Sequence, residues 1–205
     1  MGRQLDVLFV HPNASKKIYQ DLSNDYSAIE PPIWAAMLAN HCRAKGFGTQ
    51  ILDCEAERLT TPKSAELIKD INPRVACFVV YGQQPSASTQ NMVGAIALSE
   101  EVKQLAPNLI TLFVGGHVSA LPKETLAETS VDMICQNEGV YTISSLLSLG
   151  NLTEEVDLRK VKGLGYKING VAVLNETSPL VSKNNLMTDL PGMAWDLLPN
   201  VNKYR

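Results

Sequence analysis

The chain has 205 residues, 18 basic against 21 acidic, a formal charge of −3, and 45% hydrophobic against 19% charged residues. That length suggests one domain with an appendage, and the composition supplies a buried core rather than a disordered tail. The absence of a basic run excludes a general nucleic-acid surface, and no apolar stretch approaches the roughly 18 residues of a membrane span. The start, MGRQLDVLFV, lacks the apolar core and cleavage site of a signal peptide, so a cytoplasmic setting is expected.

Strand and helix signals alternate from the start. Leu5 to Val10 is a compact apolar run that predicts a strand buried on both faces. A long polar connection, His11 to Glu30, follows. Pro31 and Pro32 fit the first turn of a helix whose apolar stripe is Trp34, Met37, Leu38 and Cys42, with Gly46 as its stop. Gly48 to Asp53 predicts the second strand, Pro62 to Ile71 a short helix, and Arg74 to Tyr81 the third and most hydrophobic strand. Ser88 to Ala106 predicts a long helix packing through Ala95, Leu98, Val102 and Leu105. Leu109 to Val114 is the fourth strand, Pro122 to Glu128 a short helix, Asp132 to Cys135 the fifth strand and Glu138 to Leu149 the closing helix.

Strands alternating with helices predict an α/β, doubly wound, flavodoxin-like or Rossmann-like five-stranded parallel sheet, in the order 2-1-3-4-5. After Gly150 the pattern changes. Leu164 to Ile168 and Val171 to Leu174 flank Asn169-Gly170, a strong hairpin signal because both turn residues tolerate positive φ. The stretch from Leu190 onward reads as a connector. The expected organisation is therefore an α/β domain over 1–150, then a C-terminal hairpin and linker over 151–205.

The four cysteines, Cys42, Cys54, Cys77 and Cys135, show no CxxC or CxxxCxxC spacing and lie in or beside apolar runs. They read as small buried hydrophobes, and no metal site is expected. Ligands of an open parallel sheet bind beyond the carboxyl ends of its strands. The segments that matter are then His11-Pro12-Asn13, Tyr81-Gly82-Gln83-Gln84-Pro85-Ser86, Gly115-Gly116-His117 and Gln136-Asn137-Glu138-Gly139. The turn after the first strand has no glycine, which excludes a dinucleotide fingerprint, and no GxxxxGK[ST] occurs. Gly115-Gly116 reads either as bare backbone for a large flat group or as a tight turn. Ser86 or Ser88 reads either as part of a neutral, amide-binding loop or as a helix cap.

The order of several pieces resembles the N-terminal cobalamin-binding domain of cobalamin-dependent radical S-adenosylmethionine enzymes. These pieces are Pro31-Pro32, Leu52-Asp53, Val114-Gly115-Gly116-His117-Val118-Ser119 through Pro122 and Glu124, Asp132 leading to Gln136-Asn137-Glu138-Gly139, and Leu190-Pro191 through Ala194-Trp195-Asp196-Leu197-Leu198-Pro199 to Tyr204-Arg205. The resemblance implies cobalamin, held with its base detached at the carboxyl edge. Its nucleotide tail would lie along Gly115-Gly116 and its corrin amides against the loops after strands one, three and five. It also implies a parent enzyme, expected to be a methyltransferase, whose radical barrel in cis carries a 4Fe-4S cluster and S-adenosylmethionine, the fragment alone being inactive. The chain has no DxHxxG, the motif whose histidine ligates cobalt in other cobalamin domains. His11 and His117 could each touch cobalt or hydrogen-bond a corrin amide, Tyr81 could pack on the corrin, and Glu138 could open the fifth helix or accept an amide. The rival readings are a flavin or nucleotide-sugar domain and a vestigial docking domain without cofactor.

Overall fold

The computed structural model describes residues 4–14, 29–82 and 85–204, with the side chains of Pro85 and Ser86 outside that description. Most of the polar connection after the first strand, and Gln83 and Gln84, therefore lie outside the described residues. The elements run β1 (Val7–His11), α1 (Ile33–Ala44), β2 (Thr49–Asp53), α2 (Thr61–Ile71), β3 (Val75–Val79), α3 (Pro85–Leu105), β4 (Ile110–Val114), α4 (Gly116–Ala120) and α5 (Pro122–Ala127). They continue as β5 (Met133–Cys135), α6 (Val140–Leu147), α7 (Glu155–Leu158), β6 (Leu164–Ile168), β7 (Val171–Leu174) and α8 (Leu186–Asp189), with short 3-10 turns at Trp195–Leu197 and Val201–Lys203.

The sheet order is β2-β1-β3-β4-β5-β6-β7. The first five strands are parallel in the expected order, and β1 is an interior strand, paired with both β2 and β3. The hairpin does not stand apart from them. β6 pairs antiparallel with β5, so the sheet has seven strands rather than five. Its turn residues Asn169 and Gly170 both take positive φ, 50° and 78°, which is what their sequence demanded.

Side chains alternate across the central strands into two layers. Val7 and Phe9 join a core with α1 and α6, including Leu38, Cys42, Ile143 and Leu146. Leu8 and Val10 join the opposite core with α2 and α3, including Ile68, Leu98 and Val102. Each fully buried Leu, Val or Phe contributes roughly 1.5–3 kcal/mol, so central strands apolar on both faces hold the two layers to one sheet. Helix α3 begins at Pro85, earlier than expected, and buries Met92, Ala95, Leu98 and Val102, whereas Leu105 is exposed. Among the described residues, no helix is long and apolar enough to cross a membrane.

The segment expected to be a loose connector is a strap along α1. The Asp189 carbonyl accepts from His41 Nδ1 at 2.5 Å, and Asn40 Nδ2 donates to the carbonyls of Pro191 and Gly192 at 3.4 and 3.2 Å. Ala194, fully buried, donates its N–H to the Ala36 carbonyl at 3.1 Å. Arg43 then pairs with Asp196, Lys203 with Glu57, and the Tyr204 hydroxyl donates to Asp53 Oδ2 at 2.9 Å. The strap explains why α1 departs from a single apolar stripe. Ala35, Ala36, Leu38, Ala39, His41 and Cys42 are all buried, because the helix is covered on two sides, while Trp34 and Met37 are only partly buried. Small alanines let the strap approach.

Candidate functional site

A parallel sheet places every strand's carboxyl end along one edge, so the loops after β1, β3, β4 and β5 converge there. At the β1 end, His11 sits in register with Asp53 of β2 and is nearly buried, its Nε2 lying 3.3 Å from Glu55 Oε2. Burial alone would lower its pKa, but the hydrogen bond to Glu55 and the charges of Asp53 and Glu55 carry it above the ordinary 6.5. Asn13 donates to the Leu59 carbonyl at 3.4 Å. The Pro12–Ala14 turn lies on α3 where Gly94 stands, since a Cβ there would come within 3.0 Å of the Asn13 carbonyl and of Ala14 Cβ.

At the β3 end, Tyr81 is stacked on Trp34 of α1, with ring centroids 4.5 Å apart and planes 21° apart. Its hydroxyl donates to the Asn137 carbonyl at 2.8 Å, bridging the ends of β3 and β5. Burial, together with nearby Cys135 and Glu138, raises the pKa of this phenol, so it remains a protonated donor. Gly82 is required by packing, because a Cβ would run into Ala87.

Ser88, read either as part of an amide-binding loop or as a cap, lies inside α3 and joins three elements. It is buried, its hydroxyl donates to the Val80 carbonyl, and its oxygen accepts from the His117 N–H at 3.0 Å. This bond ties the end of β3 to the start of α4. His117 Nδ1 lies 3.0 Å from Thr89 Oγ1.

The glycine pair divides into two roles. A Cβ on Gly115 would lie 2.6 Å from the Val80 carbonyl, so this glycine serves the close approach of β3 and β4 rather than an opening. Gly116 is exposed, and a Cβ there would meet only Ser88, at 3.6 Å and beyond. Of the pair, Gly116 offers bare backbone to solvent, whereas Gly115 is closed by the tight packing of β3 on β4.

The loop after β5 is turned toward the segment that follows the hairpin. Gln136 Nε2 donates to the Asn175 carbonyl at 3.3 Å, and Asn137, at φ 59°, donates through Nδ2 to the Ser178 carbonyl at 3.2 Å. Glu138 does not open the helix. It accepts from the Val181 N–H at 2.8 Å, while α6 begins at Val140 behind Gly139, whose φ is 75°. Ser119 Oγ also reaches the Asn137 carbonyl, at 3.4 Å. Sequence reasoning missed Trp34, Glu55, Thr89 and Ser119 as parts of this edge. Only Trp34 carried a signal, a large aromatic directly after Pro31-Pro32-Ile33.

Among the described residues, the edge is lined by hydroxyl, amide and aromatic groups, with the Glu138 carboxylate after β5 and an acid-rich corner around His11. Such neutral donors and acceptors, beside exposed backbone at Gly116, fit a broad ligand fringed by amides. Among the described residues, no group of three or more His, Cys, Asp or Glu is placed to hold a metal ion. All four cysteines are free and buried.

Among curated proteins, the chain is 28% identical over 176 residues to an uncharacterised methyltransferase of Pyrococcus horikoshii, covering 85% of the chain and 35% of that protein. It is 26% identical over 196 residues to the anaerobic magnesium-protoporphyrin IX monomethyl ester cyclase of Rubrivivax gelatinosus, covering 93% and 33%. The chain thus spans about a third of the length of these relatives. Its fold is similar to that of the radical S-adenosylmethionine methyltransferase TsrM from Kitasatospora setae, solved with cobalamin and a [4Fe-4S] cluster bound. There the TM-score is 0.59 at 16% identity, over 89% of this chain and 30% of that one. The cobalamin-dependent S-adenosylmethionine radical enzyme OxsB gives a TM-score of 0.62 at 14% identity, over 98% of this chain and 25% of that one. The model of the B12 binding domain family matches residues 21–147, more than half the chain, and the chain belongs to that family.

Proposed function

We propose that this chain is the cobalamin-holding module of a radical S-adenosylmethionine enzyme, the whole protein being a methyltransferase. Cobalamin lies across the carboxyl edge, with its corrin amides toward the loops after β1, β3 and β5. The observation that carries this placement is the exposed backbone at Gly116, set among neutral hydrogen-bonding groups and opposite no clashing side chain. When bound, cobalamin supplies a carrier for the methyl group. The chain's own residues bind, orient and shield it.

His11 Nε2 is held by Glu55 and His117 Nδ1 lies against Thr89. A partner on one ring nitrogen does not by itself keep an imidazole from a metal; what supports cobalt held base-off without a protein imidazole is the absence of DxHxxG from the sequence. The cluster and S-adenosylmethionine belong to the radical barrel, a partner in cis, because the four cysteines of this chain are buried in its cores and lack CxxxCxxC spacing. The module alone is then catalytically inactive. Methyl transfer is preferred to the ring chemistry named for the Rubrivivax relative because one curated relative and TsrM both carry the methyltransferase name. The acid-rich corner at His11 and, among the described residues, the lack of a cationic phosphate cradle argue against a flavin or nucleotide-sugar occupant.

The test is the absorption spectrum of the purified chain after incubation with hydroxocobalamin and desalting, with flavin mononucleotide in parallel. Retention of about one corrin per chain with a base-off spectrum is expected, with no flavin retained. Gly116→Trp should abolish retention without lowering the melting temperature. A colourless protein would overturn the proposal, and a histidine-ligated spectrum would return His11 and His117 to the cobalt.

A further inference from the structure

Of the three histidines, His41 is the one that stands away from the carboxyl edge, in the last turn of α1. Its side chain is fully buried where α1 meets the strap and α6. Nδ1 lies 2.5 Å from the Asp189 carbonyl, an acceptor only, so Nδ1 carries the hydrogen and donates it. Nε2 is then the bare nitrogen of a neutral ring, and it is buried with no hydrogen-bond partner among the described residues. Three charged or titratable groups face the ring. Lys45 stands one turn further along α1, Asp189 belongs to the strap, and Tyr141 of α6 meets the ring edge-on at a centroid distance of 6.4 Å. The Asp189 carboxylate is already engaged, accepting from Tyr141 at 2.6 Å and lying 3.9 Å from Lys45 Nζ.

We propose that His41 is a proton-triggered release for the strap, whatever ligand the carboxyl edge takes. A proton added at Nε2 creates a second N–H donor where the protein offers no acceptor, on a new cation beside the Lys45 ammonium. A buried donor without a partner is costly, and more so when it carries charge. Lifting the strap opens the ring to water and removes that cost. What is lost in exchange is a short set of hydrogen bonds from α1 to the strap at Asp189, Pro191, Gly192 and Ala194. The other side of α1 is packed into the sheet core through Leu38 and Cys42, so the strap is the element that yields. Burial lowers the pKa of His41 below the ordinary 6.5; the Asp189 carbonyl and carboxylate oppose this and Lys45 adds to it. A freed imidazole takes up its proton first, so the closed strap is fully favoured above 6.5 and loses ground as pH falls.

The experiment is amide hydrogen exchange of the full chain from about pH 7.5 to about pH 5, each rate corrected for intrinsic exchange at that pH, with an NMR titration of the His41 ring. Protection of the Ala194 amide, which donates to Ala36, should fall by up to about tenfold per pH unit below 6.5, the limit for one proton bound on opening. At every pH it should stay below the protection of the β3 and β4 amides, because the strap lifts without global unfolding. His41→Asn keeps a donor for the Asp189 carbonyl and cannot titrate, so its Ala194 protection should stay within about twofold over the same range. The wild-type ring itself should titrate below 6.5. An equal pH dependence in wild type and His41→Asn would place the proton on another group and overturn the proposal. A wild-type ring titrating at 6.5 or above would overturn it without recourse to the variant. So would an Ala194 amide that exchanges only together with β3 and β4, since the strap would then have no opening of its own.

Discussion

His11 is a nearly buried imidazole held by a carboxylate, and this arrangement makes stability depend on pH. Its pKa is raised in the folded chain by the Glu55 hydrogen bond and the Asp53 and Glu55 charges, which outweigh burial. Its stabilising contribution is therefore complete below the unfolded value of 6.5 and is lost as pH rises through the raised folded value. His41 acts in the opposite sense, because burial lowers its pKa and its contribution is complete only above 6.5. Melting curves of the wild type superimpose the two. Glu55→Gln separates them: the His11 resonance should titrate at lower pH, and the extra stability of wild type over the variant should shrink as pH rises above 6.5. Unchanged His11 titration would show that Glu55 is not its partner in solution. The glycine pair supplies a second residue-scale prediction. Gly115→Ala places a Cβ 2.6 Å from the Val80 carbonyl, an overpacking that costs about 1–3 kcal/mol and several degrees of melting temperature. Gly116→Ala should shift the melting temperature by less than about two degrees, since its Cβ has room.

At the scale of elements, the strap and α1 depend on each other through unequal contacts. The Tyr141 hydroxyl of α6 donates to Asp189 Oδ2 at 2.6 Å, and Asp189 is itself buried beside His41. A hydrogen bond to a buried carboxylate is worth about 1.5–3 kcal/mol, so Tyr141→Phe should lower the melting temperature by a few degrees. Arg43 and Asp196 form an ion pair whose side chains are 41% and 65% exposed, and Arg43→Ala should change nothing measurable. The reverse ranking in thermal melts would place the strap's anchor at the wrong end. The strap was also the least legible element in the sequence. Its bonds to α1 use the carbonyls of Asp189, Pro191 and Gly192 and the Ala194 N–H, groups that every residue type carries. Helix α4 was missed for another reason: five residues make too short a run for periodicity to register. Trp34 was visible as part of an apolar stripe, because it stands four residues before Leu38, and only the fold reveals that its partner is Tyr81 at the edge.

Across the whole molecule, the alternation of apolar strands with helices opened or ended by proline and glycine made the parallel core readable in advance, including its strand order. What was not readable was that the hairpin would join the same sheet, since a hairpin's own turn chemistry says nothing about which edge it completes. The carboxyl edge followed from topology, whereas the orientation of Gln136, Asn137 and Glu138 toward 175–181 depended on contacts distant in sequence. The thiols report on this shared core. Burial pushes Cys42 and Cys54 up to about 12 and raises Cys77 and Cys135 as well. None should react with a thiol reagent at pH 8 in the folded chain, and all four should become reactive together on unfolding. One or two thiols reacting early would mean that one layer opens before the other.

The strap has a consequence for motion. Helix α1 lies between the sheet and a segment bonded to it at Ala36, Asn40 and His41 and fastened again at Asp53. Tilting α1 outward, the movement that would widen the edge beside Trp34, must first peel that segment away. Widening and peeling are then one opening event with one free energy, and amide hydrogen exchange would detect it as such. The Ala194 amide should exchange in step with the amides of α1, far more slowly than a trailing segment would. If Ala194 exchanges freely while α1 stays protected, the strap moves alone and sets no limit on the edge.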